Sequence, residues 1–377
     1  MPHTRLKVLF LVESLAGGGA EKILSGLVRG LDRERFDVTV CTVVDCGPYR
    51  EAVRSCAHYR TIVKGRGWLY RIRYALVYRF LPAGWVYRWS IAGDYDVEVA
   101  FTEGLPTRLL AAALEGKSRK VAWVHVDLEA RPWTQETVFR SVQEEQGAYA
   151  RFQSVVHVSQ TVREAFERRF GAHAGSVVLH NPVDQEDVRS RAAAAVEVPE
   201  KKYFRIVSVG RLVEQKGFDR LIAALARLKE RGWRAELVIL GEGSLRGELE
   251  RHASALGVAD SVLMPGFLEN PYPWMSSADL FVCSSRSEGM STVITEALVL
   301  GVPVLAVECS GVREQLGQGR FGRIVDNHDD ALVRGVEDFV SGRESCEAWR
   351  EKAVLGGREV VYGNAVRKVE QLLEGMA

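Results

Sequence analysis

A chain of 377 residues exceeds what one hydrophobic core usually supports, so two domains are expected. With 47% hydrophobic and 26% charged residues, the composition excludes an intrinsically disordered chain. A formal net charge of +1 excludes a globally basic nucleic-acid binder, so any polyanion must be met by local charge.

The N-terminal MPHTRLKVLFLVES holds an apolar run of about seven residues before it turns glycine-rich, too short for a secretory signal or a membrane span. No later stretch reaches spanning length, so an integral membrane protein is not expected. The six cysteines, Cys41, Cys46, Cys56, Cys283, Cys309 and Cys346, lack paired zinc-site spacing and fit a reducing cytoplasm.

Short β-branched or leucine-rich runs alternate with longer helical patterns, the pattern of stacked βαβ units on parallel sheets. Leu6 to Val12 reads as strand, Gly17 to Gly19 as turn and Ala20 to Leu31 as helix. Val38 to Val43, Val97 to Phe101, Lys120 to His125 and Ser154 to Val158 read as further strands of one doubly wound domain. His180-Asn181-Pro182-Val183-Asp184 breaks the pattern, because the residue before proline avoids the helical region, and a polar tract follows from Gln185 to Lys202.

The pattern then restarts. Strands are expected at Arg205 to Val209, Ala235 to Leu240, Ser261 to Met264, Asp279 to Cys283 and Val302 to Ala306, with helices at Phe218 to Arg231, Leu245 to Leu256 and Thr292 to Leu300. The expected division is residues 1–183, residues 184–357, and a last helix within residues 358–377 that packs back toward the first domain. The fold class is α/β, with two Rossmann-like doubly wound domains facing across a cleft, because open parallel sheets bind ligands beyond the carboxyl ends of their strands.

The segment Ser284 to Glu296 carries the most chemistry. It is a polar loop that opens a helix between two buried strands. Ser291 is a good N-cap, Gly289 permits close backbone approach, and free amides at Ser291, Thr292 and Val293 attract a diphosphate at the helix N-terminus. Glu296 lies roughly 7 Å further along the axis, where a ribose would reach, and Glu288 would face the sugar. The plainer alternative is that Glu288 caps and Glu296 is a solvated helix residue. Gly210-Arg211 at a strand's end and Lys216-Gly217 at the next helix's start supply two cations for a diphosphate leaving group, although either cation alone is also ordinary surface.

With these residues the chain resembles the retaining glycosyltransferases of family 4, which have the two-Rossmann GT-B fold. The match lies in the glutamate pair Glu288 and Glu296 and the strand-loop Gly210, Arg211, Lys216 and Gly217, in the expected order. The resemblance implies a glycine-rich loop after the first strand, the place of Gly17, Gly18 and Gly19, as donor- or acceptor-binding rather than a plain turn. That loop lacks a full GxGxxG fingerprint, which argues against a dinucleotide cofactor. The resemblance also implies that His125 points across the cleft at the donor sugar, against a packed core role, with Asp127 either orienting it or capping the next segment. Phe267 matches a loop whose backbone meets the nucleobase, and its ring reads equally as core. Met290 completes the donor loop.

Asp94-Tyr95-Asp96 has the spacing of a metal-binding DxD but precedes its strand, which makes it a capping and turn device; the resemblance implies no metal, because Arg211 and Lys216 take its place. No cofactor is expected, since the nucleotide sugar is a substrate. Tyr59 to Trp89 holds Arg60, Lys64, Arg66, Arg71, Arg73, Arg79 and Arg88, no acidic residue, and interleaved Trp68, Tyr70, Tyr74, Tyr78, Phe80, Trp85, Tyr87 and Trp89. That stretch suits contact with an anionic membrane, packing of its aromatic face on its own domain, or, least well, single-stranded nucleic acid.

The expectation is a retaining, metal-independent hexosyltransferase that moves a sugar from a nucleotide donor, with UDP preferred, to a hydroxyl of a lipid-linked or cell-envelope glycan acceptor. Its place is the cytoplasm or the inner face of the cell membrane, with no nucleic-acid partner. The competing readings are a sugar-nucleotide epimerase or phosphorylase on the same fold, and a non-catalytic glycan-binding module at a membrane surface.

Overall fold

A computed structural model of the chain describes residues 5–64, 68–113 and 118–376. Tertiary contacts divide the chain into two units, Met1–Pro182 with Gly363–Ala377, and Val183–Tyr362. The sequence places the boundaries after Val183 and before Arg358; the contacts place them after Pro182 and after Tyr362.

The first unit is a seven-stranded parallel sheet in the order β3-β2-β1-β4-β5-β6-β7. Its strands are β1 (Leu6–Val12), β2 (Phe36–Val44), β3 (His58–Val63), β4 (Val97–Ala100), β5 (Arg119–Val124), β6 (Ser154–His157) and β7 (Ser176–Val178). Val8 to Val12 and Val121 to Val124 are essentially inaccessible, as parallel strands covered on both faces require. The order reverses between β1 and β4, the kind of switch point beyond whose carboxyl edge open parallel sheets bind ligands. Asp96 accepts the amide of Lys7 at 2.8 Å and Asp94 pairs with the Lys7 ammonium, so both acids cap the opposite, amino end of the sheet.

The second unit is a six-stranded parallel sheet in the order β10-β9-β8-β11-β12-β13. It comprises β8 (Phe204–Val209), β9 (Ala235–Leu240), β10 (Val262–Gly266), β11 (Leu280–Cys283), β12 (Val304–Val307) and β13 (Arg323–Val325). Ile206, Leu237, Ile239, Leu280, Val282 and Leu305 form its core with Phe218, Leu221, Ile222 and Leu225 of the helix Phe218–Glu230. Its reversal falls between β8 and β11.

Three strands were invisible to the sequence pattern. β7 and β13 have three residues each, below the length at which alternation registers, and β3 was absorbed into the basic aromatic stretch. The polar tract after Asp184 opens with a helix, Gln185–Ala192, because the Asp184 carboxylate accepts the amides of Glu186 and Asp187.

The last helix, Tyr362–Met376, belongs to the first unit from Gly363 onward. Glu370 accepts the amide of Asp32 at 3.0 Å and the Arg35 guanidinium at 3.0 Å, and Glu374 also pairs with Arg35. Arg35 is 42% exposed, so the part-buried amide bond carries more of the stabilisation than the ion pairs do. Glu370→Ala should lower the stability of the first unit by about 1–3 kcal/mol in urea unfolding, because it leaves that amide unsatisfied; an unchanged midpoint would show that the helix is held by its apolar side chains alone.

Candidate functional site

In the second unit, the loops that follow β8 and β11 meet at the reversal point. Gln215 donates its side-chain amide to the Ser287 carbonyl at 2.9 Å, and the Arg286 amide donates to the Gln215 carbonyl at 2.7 Å. The Ser284 hydroxyl donates to the Lys216 carbonyl at 3.0 Å. The approach is so close that a Cβ at residue 217 would stand 2.3 Å from the Ser284 carbonyl oxygen; Gly217 also adopts φ +62°, a left-handed conformation that glycine tolerates. Arg286 locks the junction with paired bonds to Asp219 at 2.8 and 2.7 Å.

This closure brings Lys216 and Glu288 together. Lys216 Nζ donates to Glu288 Oε1 at 2.6 Å, and the Ser285 hydroxyl donates to the same oxygen at 2.6 Å. The sequence assigns the two to different parts of a donor, and the structure joins them in an ion pair. Their side chains are 17% and 8% exposed, so the pair is shielded from water without being sealed. The Lys216 stem passes over Gly210, where a Cβ would lie 3.3 Å from its Cδ and Cε. Arg211 follows at the strand's end with an exposed guanidinium and no ion-pair partner among the described residues.

Beyond the loop, Gly289 is buried, Met290 is half-buried, and the helix Thr292–Val299 begins. Ser291 occupies the N-cap position with extended backbone, but its side chain makes no capping bond; its hydroxyl oxygen is buried with no hydrogen-bond partner among the described residues. Gln315 holds the helix start instead, donating to the Ser291 carbonyl at 2.6 Å and to the Thr295 hydroxyl at 2.5 Å. The amides of Thr292 and Val293 open the helix, where no intrahelical acceptor exists for them. Glu296 is 1% exposed, which removes the solvated-helix alternative.

Phe267 lies apart from this cluster, just past β10 at the sheet's edge. It is 44% exposed, which removes the core alternative for its ring. Its loop is tied inward through successive strand ends: Gly241 N donates to the Gly266 carbonyl, and Gly210 N to the Leu240 carbonyl, both at 2.9 Å.

The first unit has its own constellation at the carboxyl ends of β1, β4 and β5. Gly17 has φ +99°, and Gly18 is the N-cap of the helix Gly19–Gly30, whose first turn carries Glu21. His125 is half-buried. Its Nε2 bonds to the Phe101 carbonyl at 2.8 Å, and because a carbonyl only accepts, Nε2 carries the proton and Nδ1 is the bare nitrogen. Its amide donates to Glu103 Oε2 at 3.1 Å. Asp127 Oδ1 accepts the amides of Glu129 and Ala130 at 2.9 and 2.8 Å, the capping role, and Phe101 and Glu103 orient His125.

Glu103 was missed by sequence reasoning. It is 6% exposed, and burial pushes its carboxyl up to about 7, opposed by the bonds from the amides of His125 and of Glu103 itself. The available signal was its place two residues before a Leu-Pro helix start at the end of β4, beside the sheet's reversal point. Ser285 and Gln315 were also missed, because their roles depend on contacts from distant segments.

Burial pushes the His125 imidazole down to about 4, against the raising effect of its bond to Phe101. In the unfolded chain it would protonate near 6.5, so as pH falls from there to about 4 the unfolded state takes up a proton that the folded state refuses, and stability declines. Glu103 acts oppositely: the folded state keeps a proton that the unfolded state releases near 4.5, so its contribution declines as pH rises toward 7. In ring-nitrogen NMR, His125 should remain the neutral Nε2–H tautomer down to about pH 4; protonation near 6.5 would contradict the enclosure.

Comparison with known proteins gives matches along most of the chain. The model described as Glycosyl transferases group 1 matches residues 190–355, and that described as Glycosyltransferase Family 4 matches residues 17–187. An N-acetylgalactosamine-N,N'-diacetylbacillosaminyl-diphospho-undecaprenol 4-alpha-N-acetylgalactosaminyltransferase of Campylobacter jejuni is 34% identical over 178 residues, 47% of each chain. A GDP-mannose-dependent alpha-(1-6)-phosphatidylinositol monomannoside mannosyltransferase of Mycobacterium tuberculosis is 32% identical over 278 residues, 68% of this chain and 70% of the relative. The chain thus spans about half the length of the first relative and over two thirds of the second. Among solved structures, Anabaena HepE in complex with UDP-glucose aligns with a TM-score of 0.76 at 20% identity over 98% of this chain and 100% of that one. WaaG, a glycosyltransferase involved in lipopolysaccharide biosynthesis, aligns with a TM-score of 0.71 at 18% identity over 98% and 100%. At those identities the likeness establishes the GT-B fold.

Proposed function

Because the chain belongs to glycosyltransferase family 4, we propose that it moves a hexose from a nucleotide donor, with UDP preferred, to a hydroxyl of a lipid-linked or cell-envelope glycan acceptor, with retention at the anomeric carbon and without a metal. The observation that carries the reading is the Lys216–Glu288 pair at the reversal point of the second sheet, beside the unpartnered Ser291 hydroxyl and an open helix N-terminus. A buried hydroxyl without a partner costs free energy unless a ligand completes it. Two amides, a hydroxyl and two cations make a site for a diphosphate rather than for a neutral glycan.

In this reading Arg211 and Lys216 take the charge that develops on the departing diphosphate, the amides of Thr292 and Val293 and the Ser291 hydroxyl bind its oxygens, and Glu296 accepts from the ribose. Lys216 shares its ammonium between Glu288 and the diphosphate, and Glu288, held by Ser285, orients the sugar hydroxyls. His125 is assigned a positioning role as a neutral hydrogen-bond acceptor through Nδ1. Glu288 is tied to a lysine and a serine, which suits positioning better than covalent attack. The acceptor hydroxyl attacks the face from which the diphosphate leaves: the bond from the anomeric carbon to the phosphate oxygen breaks, the bond to the acceptor oxygen forms, and the acceptor proton passes to the departing oxygen.

The diphospho-undecaprenol and phosphatidylinositol in the names of the two relatives support a lipid-linked acceptor, and UDP-glucose bound to HepE supports the uridine donor. The mannosyltransferase's name specifies GDP-mannose, so the base is a matter for direct test.

Glu288→Gln and Lys216→Ala should each lower kcat by about 100-fold or more while UDP still raises the melting temperature of Glu288→Gln. Full activity in both variants would end the proposal. A thermal-shift series with UDP-, GDP- and ADP-sugars should show the largest rise with a UDP-sugar, and a chelator should leave transfer unchanged. Proton NMR of the fresh product should show the donor's anomeric configuration preserved; inversion would exclude same-face attack.

A further inference from the structure

The helical segment between β3 and β4 takes no part in the transfer chemistry. A helix, Trp68–Ala75, runs into a π turn at Leu76–Phe80; after Pro82 a short helix, Ala83–Val86, runs into a second π turn at Tyr87–Ile91. Both turns close with i→i+5 bonds of 2.8 Å, Leu81 N to the Leu76 carbonyl and Ala92 N to the Tyr87 carbonyl. Such turns are rare and concentrate at functional sites. Arg66 lies outside the described residues, as do the side chains of Tyr70, Arg71 and Arg79.

One side of this segment is bolted to the first unit. Tyr74 donates its hydroxyl to the Glu13 carboxylate just beyond β1, Tyr87 donates to Glu98 of β4 at 2.6 Å, and Arg60 of β3 donates to the Ser90 and Ile91 carbonyls. Val86 and Ile91 are buried beneath it.

The other side is apolar and open to solvent. Trp68 and Phe80 are each 70% exposed, Trp85 is 67% exposed and Trp89 is 79% exposed, with Ile72, Leu76 and Leu81 also exposed between them. The spacing is regular: positions 68, 72, 76 and 80, then 81, 85 and 89, recur every fourth residue. Residues four apart inside a helix lie close to one face, so 68, 72, 76 and 80 form one stripe and 85 and 89 share a face of the second helical stretch, with Leu81 in the extended link between them. Packing of these aromatics on their own domain, one of the sequence alternatives, is therefore wrong for Trp68, Phe80, Trp85 and Trp89; the tyrosines Tyr74 and Tyr87 took the inward positions.

Charge identifies the occupant. Residues 59–89 hold seven arginines and lysines and no acid, in a chain whose net charge is +1. Lys64, Arg73 and Arg88 are exposed around the stripe. A recess of about 780 Å3 opens beside Trp89, lined by Arg54, Arg60 and Lys64, with Asp45 on its wall already held by Arg50 and Arg54. A self-complementary face would bring this basic segment against its own copy, where like charges repel. Nucleic-acid stacking uses aromatic rings, whereas Ile72, Leu76 and Leu81 offer only aliphatic surface. Aliphatic side chains among indoles, with cations alongside, match the boundary between acyl chains and anionic headgroups.

We propose that this face docks the chain on an anionic lipid bilayer, with Trp68, Phe80, Trp85 and Trp89 entering the headgroup boundary and the flanking cations meeting lipid phosphates. The anchors to Glu13 and Glu98 fix the first unit's orientation on that surface. The proposal extends the lipid-linked acceptor reading but is measured without any donor, so the two fail separately.

The test is co-sedimentation of the full chain with phosphatidylcholine vesicles, with and without phosphatidylglycerol. The chain should bind the phosphatidylglycerol vesicles, bind less as salt rises, and shift its tryptophan emission to shorter wavelength. The double variant Trp85→Ser/Trp89→Ser should lose about tenfold or more in partitioning, and Arg88→Glu about fivefold or more, with melting temperatures unchanged because all three side chains are exposed. Phe80→Ser provides a second apolar variant should the double one melt early. Absence of vesicle binding, or equal binding by wild type and variants, would overturn the proposal. So would a wild-type dimer that the double variant dissociates without any vesicle binding, or preference for a single-stranded oligonucleotide over vesicles.

Discussion

The second unit is organised around a shielded salt bridge, Lys216 with Glu288, formed where its sheet reverses direction. Neither residue reaches the other by local structure alone. Lys216 sits after β8 and Glu288 after β11, and these strands pair only because the chain, after winding outward through β9 and β10, returns to the far side of β8. The loops are then drawn together by the Gln215 side-chain amide and the Arg286 backbone amide, and the left-handed turn at Gly217 admits the Ser284 carbonyl. A half-buried pair of this kind is a poor source of stability, since desolvation offsets much of its attraction. Removing one partner is costly, because the other is left charged and unpaired. Its value lies in holding a cation and a carboxylate at fixed positions beside a helix N-terminus.

The first unit solves a related problem with different chemistry. At the carboxyl ends of its central strands it places a glycine turn, a buried carboxyl near neutrality and an imidazole held neutral. The two pKa shifts share one cause, burial that disfavours charge, so the imidazole and the carboxyl are both biased toward their neutral forms. The second unit instead places two cations, Arg211 and Lys216, after the carboxyl end of β8.

Much of this was legible in the sequence, for physical reasons that differ by element. The buried strands β1, β5, β8, β9 and β11 announced themselves as continuous apolar runs, and Glu288, Glu296, Arg211 and Lys216 could be singled out by linear spacing. What spacing cannot carry is contact between distant segments. The Lys216–Glu288 bond, the hold of Gln315 on Ser291 and the hydrogen bond from His125 to Glu103 each join residues that are more than twenty positions apart, one to the other. Ser291 illustrates the limit most clearly: its identity and position fit a helix cap, yet Gln315 fixes the helix start and leaves the hydroxyl facing an unfilled demand. The basic aromatic stretch was also visible, but which rings turn inward was decided by tyrosine hydroxyls finding Glu13 and Glu98.

The account stands most directly on where a nucleoside diphosphate binds. A crystal structure of the chain with UDP should place the diphosphate oxygens within hydrogen-bonding distance of Lys216 Nζ, the Ser291 hydroxyl and the amides of Thr292 and Val293, with the ribose against Glu296. A nucleotide bound elsewhere, with the Lys216–Glu288 pair intact and no phosphate beside it, would contradict it.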